Sequence, residues 1–370
     1  MQIPHRGFHA LAAHDRLNDK QPDNLCDSVI PPGKTIRRGA PVYGPVYEPA
    51  ARDPLCKAVE QAWEAGIVVV VAAGNDGRDN SAGTNGYGTI TAPGNDPYVI
   101  TVGAMKDMHT ATRADDLIAS YSSKGPTAID HYVKPDILAP GNLVISTMNA
   151  GVELLQHYPQ NKVANDEYIL SGTSMATPIV SGAAVVLLQQ NPSLTPDQVK
   201  ARLMKTANKT FPTSSVAVDP ATNIAYTTYY DIFTVGAGYL DIAGALKNTD
   251  LATGTALSPT AVYHPSTGEV TLQNTNPSGS TAVWGSTAVW GSTAVWGSTA
   301  VWGSSVWVNG STAVWGSTAV WGSNVLAGST AVWGSTAVWG STAVWGSQTA
   351  NGQNSDVGSE SIDIAINGEQ

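Results

Sequence analysis

Two spacings of apolar residues alternate through the first two thirds of the chain, and each predicts a different element. Leu55, Ala58, Val59, Ala62 and Trp63 recur at three- and four-residue intervals, which lines one face of a helix. Asp53 followed by Pro54 predicts its start, with a carboxylate at the cap and a proline at the first helical position. Gly66 predicts its end. Residues 67–73 then run as consecutive β-branched and small apolar side chains, the pattern of a strand buried on both faces of a parallel sheet. Residues 98–104 repeat that pattern. Residues 175–188 are apolar nearly all round, which predicts a helix buried on every side, with Pro178 in its opening turns where a missing N–H costs little. Thr195, Pro196 and Gln198 predict the capping box of a second helix over 196–206, with Val199, Leu203 and Met204 as its apolar side. Helix, glycine turn and buried strand in succession predict an α/β fold.

Polar chemistry collects at the ends of these elements. Residues 72–77 read Ala-Ala-Gly-Asn-Asp-Gly directly after the first strand, and in parallel sheets ligands gather beyond the carboxyl ends of strands. Taken alone, Asn75 also fits a simple turn cap. Residues 172–178 read Gly-Thr-Ser-Met-Ala-Thr-Pro and deliver Ser174 into the first turn of the buried helix. The helix dipole there stabilises developing negative charge, although a Ser/Thr cap is the plain alternative. Residues 121–127 (Tyr-Ser-Ser-Lys-Gly-Pro-Thr), 134–141 (Lys-Pro-Asp-Ile-Leu-Ala-Pro-Gly) and 236–240 (Gly-Ala-Gly-Tyr-Leu) complete the series.

In this order the segments resemble the subtilisin-like serine protease (subtilase) family, from about Asp53 to Leu246, the C-terminal two thirds of its catalytic domain. The resemblance implies a parallel sheet with helices on both faces, N-terminally incomplete here, and peptide-bond hydrolysis through an acyl-enzyme. It implies Ser174 as the nucleophile and Asn75 as the side-chain donor of the oxyanion hole, beside the Ser174 backbone N–H. Asp136, in Lys-Pro-Asp, reads as a turn-organising carboxylate and not as a triad acid. The resemblance further implies protein or peptide substrates, no cofactor for the chemistry, calcium as an accessory ion, and an extracellular bacterial setting. No calcium ligand cluster is assignable from the sequence.

A serine hydroxyl needs a histidine base and an orienting carboxylate. In this family both precede the oxyanion asparagine, in the order Asp, His, Ser. No Asp-Thr-Gly, Asp-Ser-Gly or His-Gly-Thr-His stands before Asn75. His5, His9 and His14 lack the glycine-flanked setting, and His109, His131 and His157 fall downstream, where surface or loop roles are expected. Residues 35–40, Thr-Ile-Arg-Arg-Gly-Ala, stand where the family carries an apolar edge strand ending in Ser-Leu-Gly. Residues 1–38 show neither spacing and are expected to come from a shifted reading frame or misplaced start. The upstream DNA tests this: an Asp and a His motif in another frame supports it. The expectation is therefore a serine endopeptidase by family whose own chain lacks the triad Asp and His and is inactive or nearly so. The alternative is a decayed, non-catalytic protease with a surface-binding tail.

Composition narrows the picture further. The chain of 370 residues allows one large domain and an appendage. Its net charge of −10 argues against nucleic acid as a partner. Cys26 and Cys56 make no disulfide framework, and Cys56 reads as a buried thiol in the first helix. No stretch reaches the ~18 apolar residues of a membrane helix, and residues 1–13 hold no apolar run of signal-peptide length. Composition predicts a partial peptidase domain over 39–250, a linker over 251–277, a repeat region over 278–347 and a polar tail over 348–370. The repeat is Ser-Thr-Ala-Val-Trp-Gly, within a stretch from Val270 to Ser355 that has no charged residue. Its even period places Trp, Ala and Ser on one face of an extended chain. Low-complexity sequence is the plain reading; a stacked solenoid or a row of tryptophans against carbohydrate or a cell surface is the functional one.

Overall fold

Helix α1 (Pro54–Glu64) begins where a carboxylate closes its orphan amides: the Asp53 side chain accepts from the Leu55 N–H at 2.7 Å and the Cys56 N–H at 3.1 Å. The fold is seen in a computed structural model that describes residues 46–81, 83–108, 110, 112–148, 156–164, 166–219, 222–264, 269–273 and 364–369. Residues 1–38, with Cys26, His5, His9 and His14, lie outside the described residues, as do His109 and the repeats at 278–347. The buried face of α1 is Cys56, Val59 and Trp63. Ala58, expected on that face, is exposed, because the buried stripe is carried by residues 56, 59 and 63. The Cys56 thiol donates to Asn95 Oδ1 at 3.3 Å, and burial pushes its pKa up, so it is an inert thiol.

The central sheet contains β1 (Val70–Ala72), β2 (Ile100–Lys106), β3 (Leu117–Ile118) and β4 (Ile137–Pro140). Both β1 and β4 run parallel to β2, and β3 pairs antiparallel with its end. The strand predicted over 67–73 shortens to three residues, with Ile67 and Val68 only partly buried. Val70, Val71, Ile100, Val102, Ile137 and Ala139 belong to one hydrophobic core, as strands covered on both faces require. Three short strands, β5 (Val144–Thr147), β6 (Lys162–Ala164) and β7 (Glu167–Leu170), form a separate antiparallel sheet with β7 in the middle.

Helix α2 (Thr173–Gln190) packs across β1, β2 and β4 through Ala176, Val180, Ala183, Ala184 and Leu187. The predicted burial on every side is not met: Val185 and Val186 are 43% and 39% exposed. The helix buries only the face that the sheet and its neighbouring helices cover. Helix α3 (Pro196–Thr206) has its predicted bounds, because the Thr195 and Gln198 side chains each bond the other's backbone N–H.

After α3 come the hairpin β8 (Ser214–Val218) and β9 (Ala225–Tyr229), then α4 (Ile232–Val235), α5 (Ile242–Lys247), and the hairpin β10 (Thr260–His264) and β11 (Glu269–Gln273). Where composition predicts a linker from residue 251, Ala252, Ala256, Ser258 and Ala261 are buried. The Pro259 carbonyl accepts from the Val133 N–H at 2.8 Å. Small side chains here let the backbone lie against the body, which average composition does not reveal.

Asp231 caps α4 and also accepts from the buried Tyr87 hydroxyl. Burial pushes its carboxyl up to about 7, against the pull of the Tyr87 hydroxyl and the α4 amides. The folded chain thus holds a proton that the unfolded chain releases near pH ~4. The stabilisation from that proton is complete below about pH 4 and is lost as pH rises to about 7. Asp231→Asn keeps the cap but cannot titrate. Denaturant melts are therefore expected to show a smaller fall in stability from pH 4 to 7 than in the parent; an unchanged fall contradicts this assignment.

Candidate active site

Three segments meet at the carboxyl edge of the parallel strands. From the end of β1 the chain passes through Gly74 to Asn75; from the end of β4 it passes to Gly141; and α2 begins at Thr173. The Gly172 N–H donates to the Gly141 carbonyl at 2.8 Å, which ties the start of α2 to the end of β4. Thr173 joins the β1 loop to the same point. Asn75 Oδ1 accepts from the Thr173 N–H at 2.9 Å and from Thr173 Oγ1 at 3.1 Å, while Oγ1 accepts from the Gly74 N–H at 3.2 Å.

These bonds set the orientation of the Asn75 amide. Its carbonyl closes an orphan N–H of the α2 terminus, a helix distant in sequence, which is not the local turn cap that the sequence also allows. With Oδ1 so used, Nδ2 is the Asn75 atom nearest residue 172: an added Cβ there would stand 3.1 Å from it. Gly172 has φ 135 and ψ 163, a conformation essentially restricted to glycine. Gly172→Ala is therefore expected to cost about 1–3 kcal/mol of stability, read as a lower melting temperature at about 2–4 °C per kcal/mol. A melt equal to the parent's contradicts that strain.

Ser174 is the residue after Thr173, half-buried in the first turn of α2, where amides point outward along the dipole. The helix starts two residues before the predicted 175, so Pro178 lies beyond its first turn. It removes the helix bond that the Ser174 carbonyl would receive from residue 178. Asn75 and the start of α2 are thus brought together, and Thr173 is the residue that sequence reasoning passed over. Its place inside the 172–178 motif was the available signal.

Two of the histidines expected at surface or loop positions, His131 and His157, lie among the described residues. His131 lies in a turn whose N–H donates to the Thr127 carbonyl at 3.1 Å and whose carbonyl accepts from the Ala261 N–H at 2.9 Å. Burial lowers its pKa to about 4, so its imidazole stays neutral at physiological pH. His157 is exposed, in a segment before the 3₁₀ turn Pro159–Asn161.

Asp136, expected to organise a turn, is a buried ion-pair hub. Its carboxylate contacts Lys134 at 2.7 Å and Lys200 at 3.3 Å, with no exposure of any of the three side chains. The hub holds the start of β4 and so the Gly141 end as well. Among the described residues no group of three or more His, Cys, Asp or Glu converges as a metal site, so the calcium implied by resemblance finds no such donor set there. No described helix is long and apolar enough to cross a membrane.

The subtilase family, peptidase family S8, matches residues 43–230, just over half of the chain, and the chain belongs to that family. It is 49% identical over 165 residues to serine protease AprX of Bacillus subtilis (strain 168), across 44% of this chain and 35% of that protein. It is 37% identical over 159 residues to subtilisin DY of Bacillus licheniformis, across 43% of this chain and 46% of that protein. The chain thus spans between about a third and a half of these relatives' lengths. Among solved structures it is similar to fervidolysin from Fervidobacterium pennivorans, a keratinolytic enzyme related to subtilisin, with 25% identity and a TM-score of 0.38 over 56% of this chain and 25% of that one.

Proposed function

We propose that the chain is the nucleophile-bearing part of a subtilisin-like serine endopeptidase: it carries Ser174 and the oxyanion donor Asn75 and lacks a base of its own. The observation that carries this reading is the Thr173 tether, which consumes Asn75 Oδ1 and leaves the amide N–H₂ turned toward the α2 terminus. In the reaction, Ser174 Oγ attacks a scissile carbonyl to form a tetrahedral oxyanion as its hydroxyl proton passes to the histidine base of the preceding part of the family domain. The Asn75 amide and the Ser174 backbone N–H receive that charge. Collapse gives an acyl-enzyme and releases the amine, which must gain a proton; the histidine that gives it stands in the part of the family domain that precedes Asn75. Protein or peptide substrates and an extracellular setting fit the family. We place the working body at residues 39–250, preceded by a segment foreign to it.

A chimera tests the assignment. The Asp- and His-bearing N-terminal part of a subtilisin relative is fused ahead of residue 43. A fluorophosphonate probe is then expected to label Ser174, with labelling lost in Ser174→Ala. Asn75→Ala is expected to slow peptide hydrolysis by about 10²–10³, a magnitude carried over from the corresponding asparagine of subtilisin. A folded chimera labelled at another residue, or indifferent to Asn75→Ala, overturns the proposal.

A further inference from the structure

The last described segment, Ile364–Glu369, lies against the body more than 90 residues in sequence from the nearest described chain; residues 364–367 form one helical turn, closed by the Gly368 N–H on the Ile364 carbonyl at 2.9 Å. Its bonds are of two kinds. The body reads its backbone: the Ser171 N–H donates to the Ala365 carbonyl at 3.0 Å, and Asn161 Nδ2 donates to the Ile366 carbonyl at 2.6 Å. Asn142 grips Glu369 from both sides, donating from Nδ2 to its carbonyl at 2.7 Å and accepting its N–H on Oδ1 at 2.7 Å. The body also reads one charge. The Glu369 carboxylate accepts from the Ser120 N–H at 2.8 Å, from the Ser120 hydroxyl, and from Arg78 at 3.2 Å. Glu369 is only 4% exposed and Ile364 2%, the latter inside the main core. Gly368 has φ 63, and a Cβ there would stand 2.5 Å from Ser171 Oγ, so the groove also selects glycine at this place.

A backbone read by side-chain amides and a single buried carboxylate met by a cation and a helix-independent N–H are the marks of peptide recognition. Arg78, Ser120, Asn142, Asn161 and the Ser171 N–H come from separated segments and, with the segment in place, are buried or nearly so; Arg78 also pairs with Asp219 at 3.6 Å. Without an occupant they would lose these partners. We propose that this groove is a binding site for an Ile-x-Ile-x-Gly-Glu peptide, filled by the chain's own C-terminal segment. Docking braces the nucleophile turn, since Ser171 stands three residues before Ser174 and Asn142 follows Gly141, which bonds Gly172. The proposal does not depend on catalysis.

The full chain is compared with one ending at Asp363. A fluorescent peptide of residues 361–370 is expected to bind the shortened chain one to one and not the full chain, whose groove is occupied. A Glu369→Gln peptide is expected to bind at least about tenfold more weakly, because it loses the charge that Arg78 and Ser120 meet. A shortened chain that keeps the parent's circular dichroism yet ignores the peptide, or that binds both peptides equally, overturns the site. Hydrogen exchange on the full chain decides the matter if the shortened one does not fold. Amides of 364–369 are expected to be protected in the parent and to lose protection selectively in Glu369→Gln; free exchange in the parent, or protection untouched by the substitution, overturns the proposal.

Discussion

The 370-residue chain alone is expected to react with a fluorophosphonate at Ser174, and to hydrolyse peptides, about 10⁴–10⁶-fold more slowly than a complete subtilisin. That magnitude is carried over from subtilisin, a relative, in which removing the nucleophile or base alone costs nearly as much as removing the whole triad. Its physical cause is the proton. A serine hydroxyl is un-ionised at neutral pH, and without a base its proton has no acceptor during attack, so only the very small ionised fraction reacts. His131, the one described histidine with a resolved shift, is held neutral by burial with a pKa lowered to about 4, in a turn bonded to Thr127 and Ala261. On the proposed assignment, the oxyanion donors alone would account for the residual rate, worth about 10³–10⁴ over water in the relative.

The pH profile separates this state from a merely weak enzyme. With a histidine base, the rate rises through the imidazole pKa near ~6.5 and then levels. Without one, the residual labelling of Ser174 is expected to climb with hydroxide concentration and to show no plateau between about pH 6 and 8. Efficient labelling, or a plateau in that window, overturns the expectation. Recovery of activity only in the chimera assigns the defect to the missing base; no recovery in a folded chimera favours a decayed, non-catalytic protease.

Local chemistry made some elements legible to the residue. Asp53 and the Thr195–Gln198 pair mark their helices' starts because a cap bonds amides two or three residues away, so the whole interaction lies within one stretch. The strand at 67–73 was legible in kind but not in length, since its limits depend on the partner at Ile100–Val102. Asn75 and Ser174 were visible as motifs, but the bond that relates them runs through Thr173, across 98 positions. Composition misled at residues 251–264 and 364–369. In those stretches a few alanines, one serine and two isoleucines do the packing, and the polar residues around them set the average. Asp136 was misread because its partners are distant in sequence: Lys134 is two residues away, but Lys200 and Ser258 reach it only through the fold.

Asp136→Asn is expected to cost about 3–5 kcal/mol, the loss found when one partner of a buried ion pair is removed. Asp136 Oδ2 accepts from Lys134 at 2.7 Å and from the Thr101 N–H at 2.8 Å; Oδ1 accepts from Ser258 at 2.6 Å and faces Lys200 at 3.3 Å. The asparagine preserves shape but removes the carboxylate that both ammonium groups contact in a space with no exposure. Burial alone would raise the Asp136 pKa, but the two lysines outweigh it and hold the carboxyl below its ordinary range. Burial does prevail at Lys200, lowered to about 7, as expected where two cations share one carboxylate. The Asp136 contribution is therefore present above the unfolded-state pKa near ~4 and is lost as pH falls through the folded value. Urea melts at neutral pH are expected to show the full loss in Asp136→Asn, and the gap to the parent is expected to narrow as both are taken into acid. Replacing all three charges together (Lys134→Met, Asp136→Leu and Lys200→Met) is expected to recover much of the loss, less about 1–3 kcal/mol for the orphaned Thr101 N–H. A triple variant no more stable than Asp136→Asn would show that the hub acts through its shape and hydrogen bonds and not through charge balance.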